Sequence, residues 1–255
     1  MTRIAVLDHG YIETVESWGS DERIIEAARM STDKGFEGWG PVCLPCNTAD
    51  GTTRLDLDRV SCLVCGSKTT PGDEKLLGYL WNNKHATPFE MAGLIIEVQA
   101  PIFVFREWHR HRTQSYNELS ARYTPMPDIN YMPSVERLML NAGGTNKQAG
   151  TIKGAAEMTE PMARRFRDQL HVSYGSAQDL YEDALENGVP KELARLMIPV
   201  GRYSRMRASA NLRNWLAFLT LRNHPAAQWE IRQYAASLAA LLEEKFPRTM
   251  ALFNA

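Results

Sequence analysis

Arg106-Glu107-Trp108-His109-Arg110-His111-Arg112-Thr113-Gln114-Ser115-Tyr116-Asn117-Glu118-Leu119-Ser120-Ala121-Arg122-Tyr123 is the densest chemistry in the chain. It places four arginines and two histidines within seventeen residues, interleaved with Ser, Asn and Tyr. Guanidinium groups at that density can hold several phosphate oxygens through charge-assisted, bidentate hydrogen bonds. By composition alone such a run is as readily a solvated basic face. The rest of the chain narrows the choice. With 29 Lys plus Arg against 30 Asp plus Glu the formal charge is −1, which gives no general attraction to nucleic acid or to an anionic membrane. An anion is therefore held by a local cluster, which points to a phosphorylated small molecule.

At 255 residues and 44% hydrophobic composition, the chain can bury a core as one large domain or two modest ones. Met1 to Asp8 reaches a charge too soon to supply the apolar stretch of a signal peptide. No window approaches the roughly 20 apolar residues of a membrane span. The expectation is a cytoplasmic protein with no membrane partner.

Residues 3–7 alternate as a strand does, and Ser20-Asp21-Glu22 opens a helix carrying Ile24, Ile25, Ala28 and Met30 at helical spacing. Pro71-Gly72-Asp73 restarts helical sequence through Trp81, and Ala92 to Gln99 reads as a buried strand that Pro101 ends. A long helix is expected within 156–187, closed by Gly188, with another beginning at Pro190. Residues 203–222 and 226–245 read as two more helices, and Gly143-Gly144-Thr145-Asn146 as a flexible loop. The class is α+β, a mixed sheet with a helix-rich C-terminal half.

All four cysteines fall in a stretch of different composition, 41–69, which reads as an insert. Cys43-x-x-Cys46, a spacer of fifteen residues and Cys62-x-x-Cys65-Gly66 form two knuckles whose thiolates suit one tetrahedral, structural Zn²⁺. The spacer alternates Leu55, Leu57 and Val60 with polar residues, as a short hairpin would. A redox pair or two disulfides are the competing readings, and they lack the βαβ setting of a thioredoxin-like motif. If zinc takes all four thiolates, no cysteine remains as a nucleophile. Arg54, Arg59 and Lys68 balance Asp50, Asp56 and Asp58 in this insert, whereas a surface that tracks nucleic acid is basic.

Within the run, the pattern Arg-His-Arg-x-x-Ser-x-Asn-Glu-x-Ser-x-Arg-Tyr, from Arg110 to Tyr123, resembles the signature of the flavin-dependent thymidylate synthases at every specified position. The likeness extends upstream through Ala27-Ala28-Arg29-x-Ser31, His85-x-Thr87-Pro88-Phe89-Glu90 and Ala100-Pro101-Ile102-Phe103-Val104. Downstream it takes in Val189 to Arg195, Asn211-x-Arg213, Leu221-Arg222 and Gln228-Trp229-Glu230-Ile231. It spans 1–255 apart from the zinc-ribbon insert at 41–69 and the stretch 138–155.

The resemblance implies a homotetramer with FAD between subunits, reduction by NADPH, and 5,10-methylenetetrahydrofolate as carbon donor to C5 of a pyrimidine nucleotide. It implies flavin contacts at His85, Thr87, Arg110, His111, Arg112, Glu118, Asn211 and Arg213. It maps nucleotide binding to Glu107–Arg110, Leu119, Ser120, Arg122 and Arg195, with Arg122 and Arg195 as phosphate ligands. Arg222 falls where the family's arginine favours an ionised N3 on uracil, an electrostatic role. Ser120 has no adjacent base in sequence and is assigned to binding. His111, between two arginines, is expected to be neutral.

Four positions depart from the family: many relatives have Gln at Glu107, His at Met91 and Ala226, and Asn at Ala217. Glu107 either faces the ring, which favours cytosine, or pairs with Arg106 or Arg110 and changes nothing. The leading expectation is dUMP to dTMP. The alternatives are methylation or hydroxymethylation of UMP or dCMP, and a non-catalytic zinc-ribbon protein that binds nucleic acid.

Overall fold

The computed structural model describes residues 3–46, 48–49, 55–56, 61–140, 150–152 and 154–255. Leu57 and Val60 of the spacer, and the Gly143–Asn146 loop, lie outside them. In chain order the elements begin β1 (Arg3–Val6), β2 (Gly10–Trp18), α1 (Asp21–Arg29), β3 (Val42–Cys43), β4 (Thr48–Ala49), β5 (Leu55–Asp56) and β6 (Ser61–Cys62). They continue α2 (Asp73–Asn82), α3 (Ala86–Glu90), β7 (Gly93–Pro101), α4 (Ile102–Trp108), β8 (Ser115–Glu118), α5 (Val135–Met139), α6 (Glu160–Glu186) and α7 (Lys191–Ala194). The chain closes with β9 (Tyr203–Asn211), α8 (Leu212–Arg222), α9 (Trp229–Lys245) and α10 (Pro247–Asn254). The class is α+β, as the pattern predicts.

One sheet has five strands in the order β1-β2-β7-β9-β8, and β1 runs antiparallel to β2. Two expectations change here. Residues 203–211 are a strand, not the first half of a helix: Met206, Ala208 and Ala210 are buried while Arg205 and Arg207 are exposed, a period of two that a 3.6-residue repeat cannot produce. The helix starts only at Leu212. The strand Gly10–Trp18 has no counterpart in the reading of the sequence.

The chain divides into two units. The first comprises Met1–Val15, Ile96–Ala208 and Phe218–Leu238. Its core holds Trp108, packed at 4.6 Å on Phe218 and at 6.4 Å on Tyr234. Arg202 is fully buried there, donating to Gln178 Oε1 at 2.7 Å and Pro127 O at 2.8 Å and lying 3.1 Å from Asp128. Those acceptors offset the cost of removing a guanidinium from water. α6 packs on α5 and α7.

The second unit comprises Glu16–Ile95, Ser209–Ala217 and Ala239–Ala255. Ser20 caps α1, its Oγ accepting from Arg23 N at 3.3 Å. Ile24, Ile25, Leu77, Leu80, Trp215 and Phe246 are buried in this unit. Buried Asp73 at the start of α2 accepts from Arg29 Nε (2.7 Å) and Nη2 (2.5 Å) and from the main-chain N–H groups of Glu37 (2.6 Å) and Gly38 (3.2 Å). The preceding Gly72 has φ +68°, and a Cβ there would sit 1.7 Å from Gly40 O, so only glycine fits this return of the chain into α2.

Candidate active site

The end of α4 presents its side chains to two places, both within the first unit. Val104, Phe105 and Trp108 anchor the helix in the core. Arg106 and His109, three residues apart and so neighbours on the helix surface, line a cavity of about 380 Å³. Glu107 and His111 instead engage Arg222, at the end of α8. The turn that follows is fixed by His111 N donating to Trp108 O at 3.0 Å and by Trp108 Nε1 donating to Gln114 Oε1 at 3.1 Å.

Glu118, Leu119, Ser120, Met126, Arg195 and Ser204 also line that cavity. Leu119 is placed by its N–H, which donates to Arg205 O at 2.8 Å and continues the pairing of β8 with β9. His109 Nε2 lies 3.2 Å from Met206 Sδ and 3.9 Å from Glu118 Oε2. A neighbouring cavity of about 420 Å³ shares Leu119, Met126 and Ser204 and adds Gln99, Thr124 and Arg205. Of the sequence-assigned nucleotide residues, His109, Leu119, Ser120 and Arg195 line the first of these cavities together. Arg106, Met126 and Ser204 were not assigned; Arg106 stood inside the basic run, whereas nothing local marks Met126 or Ser204.

Arg122 and Arg195 both turn to Glu192 in α7. Arg122 Nε is 3.5 Å from the Glu192 carboxylate, and Arg195 Nε donates to the Glu192 main-chain O at 3.2 Å. The two expected phosphate ligands thus converge on one acidic residue, a partner the motif does not reveal.

The Arg222 guanidinium uses three nitrogens. Nε donates to His111 Nε2 at 2.9 Å, Nη1 to Glu107 Oε2 at 2.5 Å and Nη2 to Glu107 O at 3.0 Å. Glu107 therefore pairs with Arg222, not with Arg106 or Arg110, because α8 brings in a cation from 115 residues away. Burial, and then the Arg222 charge, push the His111 imidazole down to about 4; the ring is neutral, with its Nε2 lone pair turned to Arg222. Tyr116, whose hydroxyl donates to His111 O at 2.6 Å, is raised to about 12 by burial. Arg110 and Arg112 are exposed.

The remaining flavin-assigned residues lie in the second unit. Asn211 caps α8, its Oδ1 accepting from Asn214 N at 3.0 Å. Arg213 Nη1 donates to Glu90 Oε1 at 2.5 Å. His85 stands at the start of α3 with its ring 5.5 Å from Tyr79, and Thr87 is exposed in the same helix.

Also in the second unit, the Sγ atoms of Cys43, Cys46, Cys62 and Cys65 lie within 4.8 Å of one another. Cys43 to Cys65 is 3.5 Å and Cys62 to Cys46 is 3.8 Å. A tetrahedron with Zn–S bonds of ~2.3 Å has sulfur–sulfur edges of roughly 3.8 Å, whereas a disulfide needs ~2.05 Å. Gly66, at φ +69°, donates to Cys62 O at 2.8 Å and turns the second knuckle. Val42 and Thr70 exchange two main-chain hydrogen bonds of 2.9 Å, joining the two ends of this segment. These are all the cysteines of the chain, and none is among the residues that line the two cavities.

The family model described as thymidylate synthase complementing protein matches residues 13–248, and the chain belongs to that family. Among its relatives are two proteins named flavin-dependent thymidylate synthase. The one from Thermus thermophilus is 35% identical over 251 residues, 98% of this chain and 78% of the relative. The one from Thermosipho africanus is 32% identical over 248 residues, 97% of this chain and 92% of the relative. The fold is similar to that of the UMP/dUMP methylase PolB from Streptomyces cacaoi bound with 5-Br UMP. That match has a TM-score of 0.74 and 27% identity, and covers 98% of this chain and 96% of the other. The chain is thus an enzyme of the thymidylate synthase type, and its relatives support methylation at C5 of a pyrimidine.

Proposed function

We propose that the protein converts dUMP to dTMP with FAD, NADPH and 5,10-methylenetetrahydrofolate, as a homotetramer. The observation that carries this reading is the cavity that gathers Glu118, Leu119, Ser120 and Arg195 beside Arg106 and His109, with Arg122 held nearby through Glu192. Arg122 and Arg195 supply charge for the nucleotide phosphate. Ser120 binds and does not attack, and the four cysteines are committed elsewhere. When bound, the flavin supplies the reducing equivalents. By resemblance, Arg110, His111, Arg112 and Glu118 of the first unit and His85, Thr87, Asn211 and Arg213 of the second would be its contacts; the arginines and the Asn211 amide are donors suited to a pyrophosphate and an electron-rich ring, and the Glu118 carboxylate is an acceptor. Arg222, held by Glu107, would meet the pyrimidine ring as a hydrogen-bond donor. Within one chain the end of α4 turns Glu107 towards Arg222 and Arg106 and His109 towards the cavity, which supports a site completed by a second copy.

The residues at 41–69 form a module closed by one structural Zn²⁺ on Cys43, Cys46, Cys62 and Cys65, a donor set that leaves no open coordination position. The balance of Arg54, Arg59 and Lys68 against Asp50, Asp56 and Asp58 favours an enzyme over a nucleic-acid-binding protein, whose surface would be basic. A cytoplasmic location accords with the cofactors used. Among the described residues no helix is long and apolar enough to cross a membrane.

The test is anaerobic turnover of purified protein with FAD, NADPH and methylenetetrahydrofolate, offering dUMP, UMP and dCMP separately and identifying products by mass. Methylated dUMP as the main product is expected. Methylated UMP would be the second reading, favoured by the name of the structural relative as a UMP/dUMP methylase. A product from dCMP alone, or a mass gain that includes oxygen, would replace the proposed reaction. Colourless protein that shifts single-stranded DNA would replace the enzyme assignment.

A further inference from the structure

Arg222 is 16% exposed and Glu107 42% exposed, and their 2.5 Å contact brings a full negative charge against the guanidinium. The other side-chain partner, His111, contributes a lone pair and no charge. A lone guanidinium would attract a ring anion. Paired in this way, it attracts an anion much less, because the carboxylate repels at nearly the distance from which the guanidinium attracts. Hydrogen-bonding capacity is kept. Arg222 uses only Oε2 of the carboxylate, which leaves Oε1 as an acceptor next to guanidinium N–H donors.

We propose that Glu107 makes the base-binding end of this site electrically neutral, so that it takes a pyrimidine ring still protonated at N3 and selects against the ring anion. The N3–H donates to Glu107, and a flanking carbonyl oxygen accepts from Arg222. This inference rests on the reading that Arg222 meets the pyrimidine. Glutamine at this position would also hold Arg222 by a hydrogen bond, but without the charge, so a purely structural role and a selective one part company at Glu107→Gln.

The experiment titrates the FAD-loaded enzyme with dUMP and with 5-fluoro-dUMP at mildly alkaline pH, following the flavin absorbance. Fluorine withdraws electrons and leaves its ring largely ionised where the dUMP ring keeps its proton. Wild-type protein should bind dUMP about tenfold more tightly, the scale of one partly exposed charge interaction. E107Q should abolish or reverse that order, and E107D, which keeps the carboxylate, should preserve it. Equal preference in wild type and E107Q would overturn the proposal. Should E107Q not fold, wild-type protein that favours 5-fluoro-dUMP overturns it equally. Failure of the wild type to bind any pyrimidine monophosphate would instead remove the functional reading, and this inference with it.

Discussion

Arg222 Nε donates a 2.9 Å hydrogen bond to Nε2 of His111, and burial together with this contact holds the imidazole in its neutral form. Protonation would remove the acceptor and put two cations together in a half-buried setting. With the folded value pushed from 6.5 to about 4, the unfolded chain takes up this proton first. The His111 contribution to stability is therefore complete above pH 6.5, falls as pH drops from 6.5 towards 4, and levels off below. Imidazole titration by NMR, assigned with His111→Gln, should show a midpoint near 4. A midpoint near 6.5 would refute the arrangement.

If Arg122 holds the nucleotide phosphate as proposed, Glu192 competes with substrate for it. Their 3.5 Å ion pair is more than half exposed on both sides, and such pairs contribute about 1 kcal/mol or less. Glu192→Ala should accordingly lower the KM for the nucleotide by no more than about fivefold and leave kcat unchanged. A rise in KM would show that the carboxylate organises Arg122 and does not oppose the phosphate.

Asp73 holds Arg29 and two main-chain N–H groups from a fully buried position. Asp73→Ala leaves those donors and the Arg29 charge without their main acceptor, which should cost about 3 kcal/mol. Urea unfolding measures this directly. A loss under about 1 kcal/mol would mean that Glu37, 3.0 Å from Arg29, carries the pairing instead.

Metal analysis should find one zinc per chain, and Cys62→Ser should lose it. Because a closed thiolate site stabilises only the folded arrangement, hydrogen exchange at 61–70 should rise on chelation. Slow exchange there in metal-free protein would show that the segment holds its fold through the Val42–Thr70 pairing alone.

Much of this was legible in the residues. Cys43, Cys46, Cys62 and Cys65 read as one set because ligand spacing within a knuckle is a local matter. Ser20 announces α1, and the order Arg110 to Tyr123 carries the family resemblance that the match over 13–248 bears out. β9 reads as part of a helix in the sequence because its two-residue alternation of buried Met206, Ala208 and Ala210 runs straight into α8 without a turn to mark the change of period. β2 went unread for want of a long apolar run: its buried positions include Gly10 and Thr14.

The amino-acid sequence by itself determined the residue types, the cysteine set, the α+β class and the family to which the chain belongs, since each rests on near neighbours or on their order. Tertiary structure alone decided that Glu107 meets Arg222, that Arg122 and Arg195 converge on Glu192, and that the end of α4 and the turn after it send Arg106 and His109 to one place and Glu107 and His111 to another. Those relationships join residues up to 115 positions apart. Only packing brings such groups within the few ångströms over which hydrogen bonds and charge pairing act.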